Sequence, residues 1–437
     1  MSLRGLLIAA PRSGGGKTTV TLGLMRAFRQ RGLSVAGLKS GPDYIDPAFH
    51  RAALGRDSFN LDSWAMEPGL IGALAGLAAQ DASLVLAEGS MGLFDGVPAA
   101  IGRSGASADI AAALGLPALL VLDASGQAQT AGAVAKGCAT FDPRVKIVGV
   151  ALNKIGSPRH LLLARSGVEA AGLKFVGALP KQAEIVLPER HLGLVQASET
   201  AELEARLDAL AAFVENHLDL DAILSLAAPI GLPMGAPRAL TPPGQNIAIA
   251  RDDAFSFLYP HLLADWRARG AEFSFFSPLA DEPPPQGCDA AWLPGGYPEL
   301  HAGRLAGAAR FLGGLRQFAQ TRPVHGECGG YMVLGESLTD AEGQVHAMAK
   351  LLSVETSFAK RRMTLGYRDA ILLADCALGR KGQKLRGHEF HYASIVAIGA
   401  DQPMAMAADA YGGAPAPCGS RRGNVSGSFF HCIAEVS

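Results

Sequence analysis

Short apolar runs recur along the first half of the chain, and stretches with helical spacing of apolar residues separate them. Residues 6–10 form such a run. They are followed by 20–31, in which Leu22, Met25, Ala27 and Phe28 fall at roughly helical intervals. Further strand-like runs occupy 34–39, 83–87, 118–122, 146–152 and 173–180, and 199–217 reads as an acidic amphipathic helix. Strands alternating with helices predict an α/β domain built on a parallel sheet. The periodicity stops between Ala227 and Gly244, where Pro229, Pro233, Pro237, Pro242 and Pro243 exclude a helix and predict a semi-rigid spacer. A second α/β pattern starts with a strand at 246–250, continues into a helix carrying Leu258, Leu262 and Trp266, and adds strands at 272–276 and 290–293. The expected division is a domain over 1–226, a Pro-rich linker over 227–244 and a domain over 245–437.

The polar residues that follow these strands carry the chemistry. After the first comes Ala10-Pro-Arg-Ser-Gly-Gly-Gly-Lys-Thr-Thr19. Gly14, Gly15 and Gly16 let backbone N–H groups turn around a phosphate, Lys17 brings a point charge to its oxygens, and Thr18 offers a hydroxyl to Mg²⁺. Pro11 stands where GxxxxGK[ST] has its first glycine. The run is instead similar to the KGGxGKTT loop of the deviant P-loop NTPases, the Min, Par and dethiobiotin synthetase-like enzymes, with Arg12 in place of their signature lysine and Thr19 closing the motif. Asp43 and Asp46 follow the second strand, and Glu88 stands directly after the third, the position from which an acid binds Mg²⁺. Asp95 lies in the next loop, within expected reach of a substrate. Asn153-Lys154, after a later strand, resembles the base-reading pair of related NTPases, although an Asn there also serves as a plain loop residue.

In the second half, Pro294-Gly-Gly-Tyr follows a strand, and the N–H groups of Gly295 and Gly296 are material for an oxyanion hole. The run Pro323-Val-His-Gly-Glu-Cys-Gly-Gly330 has glycines on both sides of Cys328, ahead of the helix-like 331–334. That is the pattern of a nucleophile elbow, with Gly329 as a further oxyanion donor. A thiol nucleophile needs a base, for which His431 is the first choice and His388 or His391 the second. His388-Glu-Phe-His391 is one residue short of HExxH, and strand geometry would put its histidines on opposite faces, which argues against a metal.

Composition narrows the classes. The 437 residues are enough for two or three cores, and a net charge of −1 with 18% charged residues argues against nucleic acid as a partner. No apolar run reaches the roughly 18 residues of a membrane span. The run at 6–10 is too short for a secretory h-region. Six cysteines without CxxC spacing fit a reducing cytoplasm.

Taken in order, GPDYIDP, the NLD of Asn60–Asp62, EGSMGLFDG, PERHLGLV at 188–195, GGYPE, ECGG and GHEFHY resemble the cobyrinic acid and hydrogenobyrinic acid a,c-diamide synthase family across essentially the whole chain. The resemblance implies an N-terminal dethiobiotin synthetase-like P-loop ATPase joined to a C-terminal class I glutamine amidotransferase. It also implies a cytoplasmic ligase of cobalamin biosynthesis that uses MgATP and L-glutamine to amidate two acetate groups of a corrin polycarboxylate, with ammonia passing between the domains. The family suggests a homodimer, without nucleic acid or membrane. Cys328 would be the nucleophile and His431 its activator. Thr18, Asp43 and Glu88 would hold the metal, Asp46 and Asp95 would face the substrate, and Arg12, Gly14, Gly15, Gly16, Lys17, Thr18, Thr19 and Asn153 would hold ATP. Many class I amidotransferases carry an acid two residues after the histidine, where this chain has Ile433. The orienting acid is therefore left open, with Glu435 a weak candidate. Other tetrapyrrole amidases, cobyric acid synthase or a nickel-sirohydrochlorin diamide synthase, and a Par-like switch with an inert second domain are the alternatives.

Overall fold

The computed structural model describes residues 3–181, 189–190, 193–194, 196–200, 202–236 and 238–436. It divides into two compact units, Met1–Pro237 and Arg238–Ser437. The boundary falls inside the Pro-rich segment, whose two ends are not free spacer. Ala228–Pro229 pairs antiparallel with the start of the first strand, while the N–H groups of Ala239 and Leu240 donate to buried Asp265 Oδ2.

In the first unit the strands are β1 (Arg4–Ala9), β2 (Val35–Ser40), β3 (Phe59–Leu61), β4 (Leu84–Glu88), β5 (Ala118–Asp123), β6 (Ile147–Ile155) and β7 (Phe175–Pro180). They lie parallel in the order β3-β2-β4-β1-β5-β6-β7. Because β1 stands between β4 and β5, the strand order reverses there, and a ligand crevice opens beyond the strand ends. The central strands are buried along their length, which is why they read as continuous apolar runs and not as alternating ones. The helix α1 (Lys17–Gln30) follows the loop after β1, and α2 (Asp46–Leu54) follows the loop after β2. The expected strands appear. The short β3, carrying Asn60, was missed because three residues leave no periodicity to read.

The second unit holds a sheet ordered 272–276, 246–250, 290–293, 324–327, 425–428 and 420–422, parallel except for its last strand. Beside it in the chain is an antiparallel sheet of 416–418, 405–409, 364–372, 384–391 and 431–436. One core collects Ala248, Phe255, Phe311, Cys328, Tyr331 and Leu334 around the parallel strands. No helix among the described residues is long and apolar enough to cross a membrane. Half of the segment 188–195 lies outside the described residues.

Candidate functional site

The first site sits at the reversal point of the first sheet. Gly16 takes φ +94°, and a Cβ there would stand 2.1 Å from Asn153 Nδ2, so the loop closes only around glycine. Asn153 turns to the loop, donating to the carbonyl of Gly15 at 3.0 Å. Arg12 and Lys154 both pair with buried Asp123, at 2.7 and 3.0 Å. Gly14 is exposed at φ +69°, Gly15 is buried against Ala10, and Thr18 and Thr19 lie in the first turn of α1. Lys17 is buried, with Nζ donating to the carbonyls of Met91 at 2.5 Å and Arg12 at 3.3 Å. Burial, with the charge of Lys39 added, lowers its pKa to about 8.

Thr18 Oγ1 donates to Glu88 Oε1 at 2.6 Å. The same carboxylate is gripped from two other elements. Lys39 Nζ lies 3.2 Å from Oε1, and His50 Nε2 lies 2.8 Å from Oε2. Lys39 is brought there by register, since β2 runs beside β4 with Lys39 level with Glu88. Its ammonium also donates to Asp46 Oδ2 at 2.5 Å and stands 3.9 Å from Asp43 Oδ2. Burial opposes a charge on Lys39, but Asp46, Glu88 and Asp43 outweigh it and keep the ammonium protonated. Burial likewise opposes the Glu88 carboxylate, and Lys39, His50 and Thr18 reverse that, holding it well below the usual carboxylate range. Asp46 is pushed up by burial and by the charge of Asp43.

The other acids have local duties. Asp43 Oδ1 accepts the N–H groups of Ile45 and Asp46, closing an Asx turn that leads into α2. Asn60 donates to the carbonyls of Gly41 and Asp43, fixing the loop between them. Asp95 Oδ2 accepts the Gly92 N–H at 2.8 Å, closing its own turn. Among the described residues no group of three or more His, Cys, Asp or Glu side chains is placed to hold a metal. Thr18 and Glu88 form a pair of hard oxygen donors of the kind magnesium takes when phosphates and water complete its shell.

The second site is the elbow. Cys328 takes φ +47°, ψ −100°, a strained conformation for a residue with a Cβ. The strain is held by close backbone contact. A Cβ on Gly326 would meet Gly330 at 2.6 Å, and one on Gly330 would meet the Leu293 carbonyl at 2.0 Å, so these glycines let the short helix Gly329–Leu334 settle on the strands. The Cys328 N–H donates to the Ser428 carbonyl at 2.7 Å and is unavailable to an oxyanion. Gly295 faces the site, since a Cβ there would lie 2.7 Å from His431 Cε1 and 3.4 Å from Cys328 Cβ. A Cβ on Gly329 would stand 3.1 Å from the Gly296 nitrogen, so these two amides are neighbours.

His431 is buried and hydrogen-bonded to Cys328. Burial disfavours the imidazolium, but the charges of Cys328 and Glu327 overcome it and raise the pKa to about 10. The imidazolium so held stands beside the thiol it would activate. His388 stacks on His431 and faces the Tyr259 hydroxyl, and His391 stacks on Phe429. Both histidines come near enough to His431 to feel its charge. Glu435 is removed from the histidine. Its Oε1 accepts the Thr241 N–H and its own N–H donates to the Ala239 carbonyl. The acid that does face His431 is Glu327, with Oε2 3.7 Å from Nδ1.

A strained cysteine paired with a histidine in one unit, and a phosphate loop with its acid in the other, are the parts that a glutamine-hydrolysing amidating ligase needs. Residues 246–437 match the CobB/CobQ-like glutamine amidotransferase domain, and 6–195 match the CobQ/CobB/MinD/ParA nucleotide binding domain. Over the full length of both chains, the protein is 58% identical to a hydrogenobyrinate a,c-diamide synthase of Mesorhizobium japonicum and 56% identical to one of Agrobacterium fabrum. It is 57% identical to one of Rhodobacter capsulatus over 99% of each chain. The chain belongs to the hydrogenobyrinate a,c-diamide synthase family.

Proposed function

We propose that this protein uses ATP and glutamine to convert the a and c acetate carboxylates of hydrogenobyrinate into amides, a step of cobalamin biosynthesis. A carboxylate anion is a poor electrophile, so its oxygen first takes the γ-phosphoryl of ATP, giving an acyl phosphate and ADP. The loop amides at Gly14, Gly15 and Gly16, with Lys17, surround the transferred group and offset its charge. Arg12, Thr19 and Asn153 complete the nucleotide's surroundings. Thr18 and Glu88 fit a magnesium ion, with Asp43 beside them, and the ion would neutralise phosphate charge when bound. Asp46 and Asp95 line the approach of the substrate.

In the second unit Cys328 attacks the glutamine amide carbon. The Gly295, Gly296 and Gly329 N–H groups receive the oxyanion, each worth about 10² to 10³ in rate. His431 gives its proton to the departing nitrogen, ammonia leaves, and water hydrolyses the thioester to glutamate. Ammonia then displaces phosphate from the acyl phosphate. The observation that carries the reading is the Cys328–His431 hydrogen bond at an elbow of φ +47°. All six cysteines are free, which supports work in a reducing cytoplasm; the family reading adds a homodimer.

The test is mass spectrometry of hydrogenobyrinate and, separately, of its cobalt-containing counterpart cobyrinate, each incubated with the protein, MgATP and amide-¹⁵N-glutamine. Two labels entering hydrogenobyrinate only when ATP is present are expected. Labelling of cobyrinate alone would move the assignment to that substrate, and no label in either would end the corrin reading.

A further inference from the structure

Glu327 immediately precedes the nucleophile, and along a regular strand the two side chains would point to opposite faces. The elbow changes this. With φ +47° at Cys328 the chain turns sharply, and thiol and carboxylate both reach His431 from consecutive residues. Glu327 is buried, its Oε2 stands 3.7 Å from His431 Nδ1, and its Oε1 accepts the Cys432 N–H at 3.1 Å. The carboxylate is thus tied to the backbone beside the histidine it faces, across neighbouring strands of different sheets. The two acids that spacing would nominate are ruled out by position. Ile433 is apolar, and Glu435 is four residues along the strand from His431, about 13 Å at ordinary strand rise, where it binds Thr241.

We infer that Glu327 is the positioning residue of the amidotransfer site, holding the Nδ1 side of His431 so that the ring's other nitrogen is presented to Cys328. The inference rests on the Cys328–His431 reading above. A carboxylate in this place fixes tautomer and ring orientation and stabilises the imidazolium while the thiolate attacks. It does not touch the substrate.

The experiment uses the full chain and compares wild type, Glu327→Gln and Cys328→Ala in two assays. One follows glutamate released from glutamine. The other follows ATP-driven amidation of hydrogenobyrinate with ammonium chloride as the nitrogen source. Glutamine at 327 keeps an oxygen for the Cys432 N–H and loses the charge. The expected result for Glu327→Gln is a fall in glutaminase kcat of about 10² to 10⁴, a glutamine KM within about threefold of wild type, and an unchanged ammonia-driven reaction. Glutaminase kcat near wild type in Glu327→Gln, with Cys328→Ala inactive, would overturn the inference. So would a parallel fall in both assays, the mark of a merely structural role. Wild-type glutaminase in Cys328→Ala would instead sink the underlying amidotransferase reading, and this inference with it.

Discussion

The imidazole rings of His388 and His431 lie almost parallel, 18° between planes and 5.0 Å between centroids, yet carry different charges. Burial first, then the charge of His431 and of Arg368, drive His388 well below its ordinary value, so it stays neutral. His431 holds its proton up to about pH 10 because Cys328 and Glu327 outweigh its burial. Around His431 therefore stand Cys328 and Glu327, which favour its proton, and a neutral His388 and His391, both of which also feel the charge of Arg368.

This asymmetry sets an alkaline limit. A histidine whose folded pKa lies above its unfolded value contributes stability that is complete below about pH 6.5 and is lost as pH rises toward about 10. The melting temperature of the second unit should fall across that window in wild type. Cys328→Ala removes the largest of the contacts that favour the His431 proton, so its slope should be shallower. Equal slopes would show that Cys328 is not what holds the proton.

The acid side has the opposite sign. Burial lowers His261 to about 4 and His325 to about 3, so both are neutral in the fold and charge readily once unfolded. Their contribution is present above about pH 6.5 and lost as pH falls toward those values. At pH 5 each costs about 2 kcal/mol relative to pH 7. His325→Phe has no titrating group and keeps a ring against Trp292, whose centroid is 4.7 Å away. It should lose less stability than wild type between pH 7 and pH 5 in thermal scans, and an identical loss would exclude His325 as a cause.

The features legible in the sequence were those whose chemistry is local. Lys17 and Thr18 follow three glycines, and Cys328 sits between glycines that a tight elbow needs. The central strands of the first sheet were legible as well, because burial on both faces makes them continuous apolar runs. What stayed hidden depends on strand order. Lys39 meets Glu88 only because β2 lies beside β4, and His50 reaches it only from a helix packed above. Glu327 was hidden for a different reason, since alternation assigns it to the wrong face until the backbone angle at Cys328 is known. Asn153 and Asp95 show the reverse case, residues picked for ligands whose side chains also bind backbone, Asn153 that of the phosphate loop and Asp95 that of its own turn.

Glu88→Gln tests the acid at the phosphate loop. The amide preserves shape between Thr18, Lys39 and His50 but removes the charge. ATP-driven amidation with ammonia should fall by about 10² or more, by analogy with loss of a group that stabilises transferred charge, while glutamine hydrolysis should persist. Chelation with EDTA should reproduce this split if magnesium serves the ATPase half alone. Loss of both activities in either experiment would contradict the assignment of Glu88 and the metal to phosphoryl transfer.

Lys39 carries the sharpest prediction about what holds the first site together. It is 3% exposed and is the ammonium that Asp46, Glu88 and Asp43 share, with contacts of 2.5, 3.2 and 3.9 Å. Removing one partner of a buried ion pair leaves uncompensated charge and costs about 3 to 5 kcal/mol. Lys39→Met should therefore lower the stability of the first unit by about that much in denaturant titration, and leave glutaminase activity in place. The double variant Lys39→Met, Asp46→Asn removes one of the stranded acids and should regain part of the loss. If the double variant is less stable than Lys39→Met alone, Asp46 is not the acid that Lys39 neutralises, and Glu88 is left as its principal partner.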